Sequence, residues 1–277
     1  MSVPDLRGRT IIMSGGSRGI GLAIALRAAR DGANIALLAK TAEPHPRLEG
    51  TIFSAAQQIE AAGGQALPIV GEVRDDEAVA DAVGRTVARF GAIDVVVNNA
   101  SAIDVSSSQA IAMKRYDLMQ DVNTLGTFLL SRTCVPHLRH AADPHVLTLS
   151  PPLSLDPKWY VGHLAYTLAK FGMSMCTLGM AVEYAQDGIA FNSLWPRTLI
   201  STAAAQNLLG GDEAMARSRR PEIVADAAHH ILTRPARTTT GNFFIDDEVL
   251  AEAGVTDLSH YAYVPEADLQ VDLFLDG

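Results

Sequence analysis

Tyr166 and Lys170 stand four residues apart in Ala165-Tyr166-Thr167-Leu168-Ala169-Lys170, a run whose composition favours a helix. That spacing is just over one helical turn, so both side chains leave the same face. An ammonium beside a phenol favours the phenolate and lowers its pKa from about 10, giving a proton donor or acceptor usable near neutral pH. A second stretch, Ser14-Gly15-Gly16-Ser17-Arg18-Gly19-Ile20-Gly21, is suited to anions. It lies between a β-branched run (Thr10–Met13) and a helix-forming one (Leu22–Arg30). Glycines let the backbone turn tightly and approach a phosphate, while free N–H groups and the positive end of the helix dipole face the charge. The stretch therefore reads as a pyrophosphate cradle made by Ser14, Gly15, Ser17, Arg18, Gly19, Ile20 and Gly21. Its spacing, Gly15-x-x-x-Gly19-x-Gly21, differs from G-x-G-x-x-G, and a purely structural turn is the alternative.

The elements that must position these groups alternate between strand-like and helix-like from the start to about residue 245. That alternation predicts an α/β fold: one Rossmann-type, doubly wound parallel sheet of about seven strands flanked by helices. Strands are expected at 34–39, 65–70, 94–97, 145–150, 189–194 and 240–245, after the first at 10–13. Helices are expected at 51–62, 76–90, 114–140, from about 160 to 186, and 221–233. With no repeats and no low-complexity linker, residues 1–277 read as a single domain, with a core at about 8–247 and a tail at 248–277 taken as packing cover. Lys40 falls at the carboxyl end of the second strand, beside the adenosine ribose of a bound dinucleotide. A cation there, with Arg18, suits a 2′-phosphate and favours NADP(H) over NAD(H). The loop 41–50, with two prolines, His45 and Arg47, reads as a mildly basic flap that either contacts the cofactor or is a simple insertion. Residues 198–220 read as a mobile segment hinged at Gly210-Gly211. Asn123 lies inside an otherwise apolar helical pattern, where asparagine is unfavourable without a specific role.

Composition narrows the possibilities. The chain has 277 residues, 48% of them apolar, and a net charge of −9. That acidity argues against nucleic acid or anionic membranes as partners. No apolar run is long enough for a membrane span, and no secretory signal is visible. Cys134 and Cys176 read as reduced core residues in a cytoplasmic protein. No histidine or cysteine spacing suits a metal, and His229-His230 are adjacent, so they point in different directions on a helix.

The glycine turn, Asn98-Asn99-Ala100, Asn123 and Tyr166-x-x-x-Lys170, in that order, resemble the short-chain dehydrogenase/reductase family over residues 8 to about 247. Lys40-Thr-Ala-Glu-Pro-His-Pro, Ser150-Pro-Pro-Leu and Trp195-Pro-Arg-Thr more narrowly resemble its hydroxysteroid dehydrogenase-like proteins, without the sterol-carrier domain those often carry. The resemblance implies that Tyr166 exchanges the proton with the substrate oxygen. Lys170 then lowers the Tyr166 pKa and holds the nicotinamide ribose, and Asn123 holds a water linking Lys170 to solvent. Asn98 braces the central strand. Glu72 with Val73, Asn99 with Ala100, Pro196, and Thr202 or Ser201 complete the cofactor contacts.

One position departs from the pattern. The family's substrate-orienting serine lies about thirteen residues before the tyrosine, where this chain has Leu153. Ser150, Ser154 or neither fills the role, and Ser150 is taken as the candidate. His163, one helical turn before Tyr166, either lines the pocket or simply packs, and Trp159, Tyr160, Leu153 and Trp195 predict an apolar cleft. Two readings follow. One is an NADP(H)-dependent oxidoreductase interconverting a hydrophobic alcohol and its ketone or aldehyde. The other is a weak or inactive NADP(H)-binding sensor or scaffold. A homo-oligomer through helices 114–140 and 160–186 is expected by the same resemblance.

Overall fold

A computed structural model describes residues 5–44, 49–208 and 210–276. His45 and Arg47 of the expected flap lie outside the described residues. In chain order the first half contains β1 (Thr10–Ser14), α1 (Gly19–Arg30), β2 (Asn34–Ala39), α2 (Ile52–Ala61), β3 (Gln65–Val70), α3 (Asp76–Phe90) and β4 (Val95–Asn98). The second half contains α4 (Met113–Met119), α5 (Gly126–Leu138), β5 (His145–Thr148), α6 (Leu164–Glu183) and β6 (Ala190–Trp195). It continues with α7 (Ala203–Leu208), α8 (Gly211–Ala216), α9 (Glu222–Leu232), β7 (Phe243–Ile245) and α10 (Asp246–Glu252).

The strands form one parallel seven-stranded sheet in the order β3-β2-β1-β4-β5-β6-β7. Strands β1 and β4 are buried along their whole length, as expected for β-branched runs covered by helices on both faces. One layer packs Ile11, Met13, Ile35 and Val97 against α1, α2 and α9. The other packs Ile12, Val96, Val146 and Phe191 against α3 and α5. The strand order reverses between β1 and β4, so a crevice opens beyond their carboxyl ends, where such sheets bind ligands.

The single helix expected over 114–140 is interrupted. Between α4 and α5 the chain makes a π-helical stretch, Gln120–Leu125, with Asn123 inside it and fully buried. Such a bulge frees backbone groups and re-aims side chains, often at functional sites. Asn123 Oδ1 accepts the Ala102 N–H at 2.7 Å, and its Nδ2 donates to the Ala102 carbonyl at 3.1 Å. The bulge is also stitched to α6: Gln120 Nε2 donates to the Ala165 carbonyl at 3.3 Å and Thr124 Oγ1 to that of Ala169 at 3.1 Å.

The segment read as mobile holds α7 and α8, with Gly210 and Gly211 both at positive φ between them. The tail does more than cover the core. Residues 270–276 run back across the carboxyl edge of the sheet, where Val271 bridges Thr198 antiparallel.

Candidate active site

The glycine turn leaves β1 with Gly15 at φ 75°, a left-handed conformation that disfavours any Cβ. A Cβ at Gly15 would also meet the backbone of Ala100 at 2.8 Å, so the turn lies directly against the end of β4. Ser14 Oγ accepts the N–H groups of Asn99 and Ala100, each at 3.2 Å, and Asn99 Nδ2 donates to the Gly15 carbonyl at 2.8 Å. Ser14, Asn99 and Gly15 therefore lock the two strand ends together. Helix α1 begins at Gly19 with no side chain capping its N-terminus. Its first N–H groups are left for an external acceptor, which is the arrangement an anion site needs.

A cleft of about 710 Å³ opens over this turn. Gly15, Ser17, Arg18, Gly19, Ile20, Lys40, Glu72, Val73, Asn99, Ala100 and Thr202 line it, as the sequence predicts. Ser14 and Gly21 lie behind the lining. A Cβ at Gly21 would collide with the Asn99 side chain, so that glycine serves close packing of α1. Pro196 is buried away from the lining. The crevice position, the uncapped helix end and the close-packed glycines fit a dinucleotide diphosphate.

At the adenosine end Lys40 Nζ lies 3.8 Å from Glu72. Arg74 pairs with Glu72 at 2.5 Å and with Asp121 at 3.4 Å. Arg18 is turned to the flap, donating to the carbonyls of Glu49 at 2.9 Å and Gly50 at 2.8 Å.

Tyr166 and Lys170 occupy one face of α6, close to the end of β5. Lys170 is buried, and its Nζ donates to the Leu149 carbonyl at 2.5 Å, with Met173 Sδ at 3.4 Å and the Trp195 ring centroid 4.9 Å away. Burial pushes its pKa down to about 7, against the opposing pull of Asp272. Tyr166 is 6% exposed, and burial and the Asp272 carboxyl both raise its phenol pKa. The expected lowering of the phenol pKa by Lys170 is thus not the arrangement of this structure: the ammonium is drawn to the Leu149 carbonyl, and desolvation dominates the phenol.

Ser150 is fully buried, and its hydroxyl is 2.9 Å from that of Ser193, which donates to Thr177 Oγ1 at 2.9 Å. This closed chain of hydroxyls ties β5 to β6 and α6, which places Ser150 in a bracing position rather than at an open surface. Ser154 Oγ accepts the Asp156 N–H at 3.2 Å. Asn98 donates to Ser131 Oγ at 2.8 Å, bracing β4 as expected.

Around Tyr166 the predicted apolar residues do gather. Trp195, Leu153, Trp159 and Tyr160 share one cluster with it, joined by Ala165 and Phe171. The His163 ring packs edge-on to Phe274, and its Nδ1 pairs with Thr167 Oγ1 at 3.0 Å. The tail adds residues that were not singled out in the sequence: Phe274, stacked on Tyr166, joins the cluster with Leu273 and Leu275 packed against it, and Asp272 lies close to Tyr166 and Lys170. Asp272 has its backbone N–H on the Arg197 carbonyl at 3.0 Å, and burial raises its carboxyl pKa to about 7. The only sequence signal for them was an apolar triplet flanked by two aspartates, Asp272-Leu-Phe-Leu-Asp276.

This fold and site define a class. The chain belongs to the short-chain dehydrogenase family, whose model matches residues 9–211. Members are oxidoreductases that bind a nicotinamide cofactor and act on small molecules. Within that class the chain is similar to hydroxysteroid dehydrogenase-like protein 2 of Danio rerio, at 52% identity over 272 residues, covering 98% of this chain and 65% of that protein. The chain thus spans less than two thirds of that relative's length. A short chain dehydrogenase from Mycobacterium thermoresistibile superposes with a TM-score of 0.93 at 58% identity, over 98% of this chain and 96% of that one. A Xanthomonas campestris crystal structure superposes with a TM-score of 0.96 at 55% identity, over 99% of this chain and all of that one. Among the described residues no helix is long and apolar enough to cross a membrane, and no cluster of histidine, cysteine and carboxylate side chains could hold a metal ion.

Proposed function

We propose that this chain interconverts a hydrophobic alcohol and its ketone or aldehyde, using NADP(H) in preference to NAD(H). The observation that carries this reading is the placement of Tyr166 and Lys170 on one face of α6, at the same sheet edge where the uncapped α1 and the glycine turn open the dinucleotide cleft. Gly15, Ser17, Arg18, Gly19 and Ile20 would hold the diphosphate, Glu72 and Val73 would flank the adenine, and Thr202 would approach the carboxamide. The cofactor supplies or takes the hydride. Tyr166 gives a proton to the developing alkoxide, or takes one in oxidation, and Lys170, four residues on along the same face of α6, would stabilise the resulting phenolate once its ammonium turns from the Leu149 carbonyl. Asn123, held rigidly by Ala102, fixes the bulge from which a water would reach Lys170. Lys40, largely exposed at the lip, supports the 2′-phosphate preference, with Arg18 and Arg74 close by and Glu72 opposing them. The apolar cluster around Tyr166 supports a hydrophobic substrate.

Leu153 at the serine position, with Ser150 turned into the core, favours a second reading: a protein that binds NADP(H) and turns over slowly or not at all. Losing one donor to the reacting oxygen costs about 2.7–4 kcal/mol of transition-state stabilisation. Steady-state NADPH oxidation against hydrophobic ketones and aldehydes separates the two. Turnover supports the enzyme; tight binding with no turnover on any substrate supports the sensor.

A homo-oligomer is part of the proposal. On α6 Leu168, Met175, Leu178 and Val182 form an exposed apolar stripe at helical spacing, and Leu125 and Phe128 are exposed at the start of α5.

A further inference from the structure

Phe274 is the centre of the aromatic cluster. Its ring lies 6.1 Å from Tyr166 in a stacked arrangement, 5.2 Å from Phe171, 6.0 Å from Trp195, 6.0 Å from His163 and 6.2 Å from Trp159. It is 4% exposed, so a phenyl ring fills the apolar space beside the proposed proton donor. Tyr166 and Lys170 do not line the dinucleotide cleft, and the ring stacked on the phenol is that of Phe274 from the tail.

The backbone of Phe274 has φ 75°, a conformation that L side chains rarely adopt and that persists only where surrounding contacts enforce it. The segment is fastened along one margin. Leu199 donates to the Gln270 carbonyl at 2.9 Å, Gln270 to that of Arg217 at 2.9 Å, and Trp195 Nε1 to that of Leu273 at 2.8 Å. At its end Lys158 pairs with the exposed Asp276 at 2.5 Å. Two of these fastenings, at Leu199 and Arg217, lie next to α7 and α8, the part of the site edge built from short helices and glycines at positive φ.

We propose that residues 270–276 form a strap that competes with substrate: Phe274 occupies the seat of a ring-sized apolar group on the substrate, and the strap lifts when such a molecule binds. This rests on the reading of Tyr166 as the proton donor. The substrate class that follows is an apolar ketone or alcohol carrying a ring next to, or one or two bonds from, the reacting carbon. The strained backbone favours release once the ring is displaced. Release also readmits solvent to the phenol and takes the Asp272 carboxyl away from it, easing the burial and the neighbouring carboxyl that together raise its pKa. A chain whose competent state is a fraction of the population binds ligand more weakly by that fraction, so emptying the seat tightens binding.

The test uses the full chain and cyclohexanone as the probe. The chain has two tryptophans, and both border Phe274, so their emission reports the strap. Hydrogen exchange at the Leu199, Gln270 and Asp272 amides reports its fastenings. Binding of cyclohexanone to the wild type is expected to accelerate exchange at these amides about tenfold or more and to shift tryptophan emission. Phe274→Ala and Phe274→Gly are each expected to bind cyclohexanone about tenfold more tightly. The glycine variant keeps the positive φ without strain, so it covers misfolding of the alanine variant. Slower or unchanged strap exchange on binding, or no tighter binding in a folded Phe274 variant, would overturn the proposal; so would failure of cyclohexanone to bind at all. None of these readouts needs hydride transfer. Strap release retained in Tyr166→Phe, with no turnover in the wild type, would sink the oxidoreductase reading and leave the strap.

Discussion

At the scale of the residue, charge and burial decide what each side chain can do. The proposed preference for NADP(H) is tested at Lys40, which is exposed at the lip and shares Glu72 with Arg74. Lys40→Ala is expected to weaken NADPH binding about tenfold while leaving NADH within a factor of two or so, as read by fluorescence titration; equal losses for both would mean the lysine does not meet the phosphate. His145 gives a stability prediction with a defined sign. It is 1% exposed at the start of β5, its Nε2 sits 3.0 Å from the Arg234 carbonyl, and burial, with Arg9, pushes its pKa down from 6.5 to about 4. The folded chain then binds fewer protons than the unfolded one between those values, so stability falls as pH drops through that window. Between pH 7 and pH 4 the wild type is expected to lose on the order of 3 kcal/mol more than His145→Gln in denaturant unfolding, since the amide keeps the donor without titrating. Most of the cleft lining was legible because glycine, lysine and serine types state their backbone or charge role directly. Ser150 was not, because a hydroxyl that faces substrate and one that closes a buried chain with Ser193 have the same sequence signature.

Elements show the same division. The strands and their order of appearance were readable from β-branched runs bounded by glycine and asparagine, and all seven are present. The π bulge at Gln120–Leu125 was hidden, since it depends on what α4, α5 and α6 do to one another rather than on local propensity. Asn123 gave the one hint, as a polar residue in an apolar pattern. Gly172 carries the other half of that contact: a Cβ there would collide with Thr124, so α6 approaches the bulge only without a side chain. At the glycine turn, Gly15→Ala is expected to destabilise the chain by about 1–3 kcal/mol and to weaken dinucleotide binding tenfold or more. Thermal unfolding and NADPH titration check it; a variant as stable and as tight as the wild type would show that the turn is not pinned against Ala100. The strap at 270–276 was read only as packing cover, because its role comes from Phe274 reaching Tyr166 across more than a hundred residues of sequence.

For the whole molecule, the sheet edge where β1 and β4 part brings the dinucleotide cleft, α6 and the tail to one place, while the opposite feature, the apolar stripe of α6, faces outward. Val182→Glu or Met175→Glu is expected to lower the mass seen by light scattering by at least half at micromolar concentration, with the fold retained by circular dichroism; an unchanged mass would place the contact elsewhere. Fold class was legible from the alternation of strand-like and helix-like runs, whereas the joining of tail to site was not, since no local pattern encodes a contact made only in the folded chain. The central claim concerns one phenol. Steady-state NADPH oxidation with a hydrophobic ketone, compared between the wild type and Tyr166→Phe, tests it most directly. Tyr166→Phe is expected to lose about 10²–10⁴-fold in turnover with NADPH affinity unchanged. Turnover that survives the substitution would contradict it.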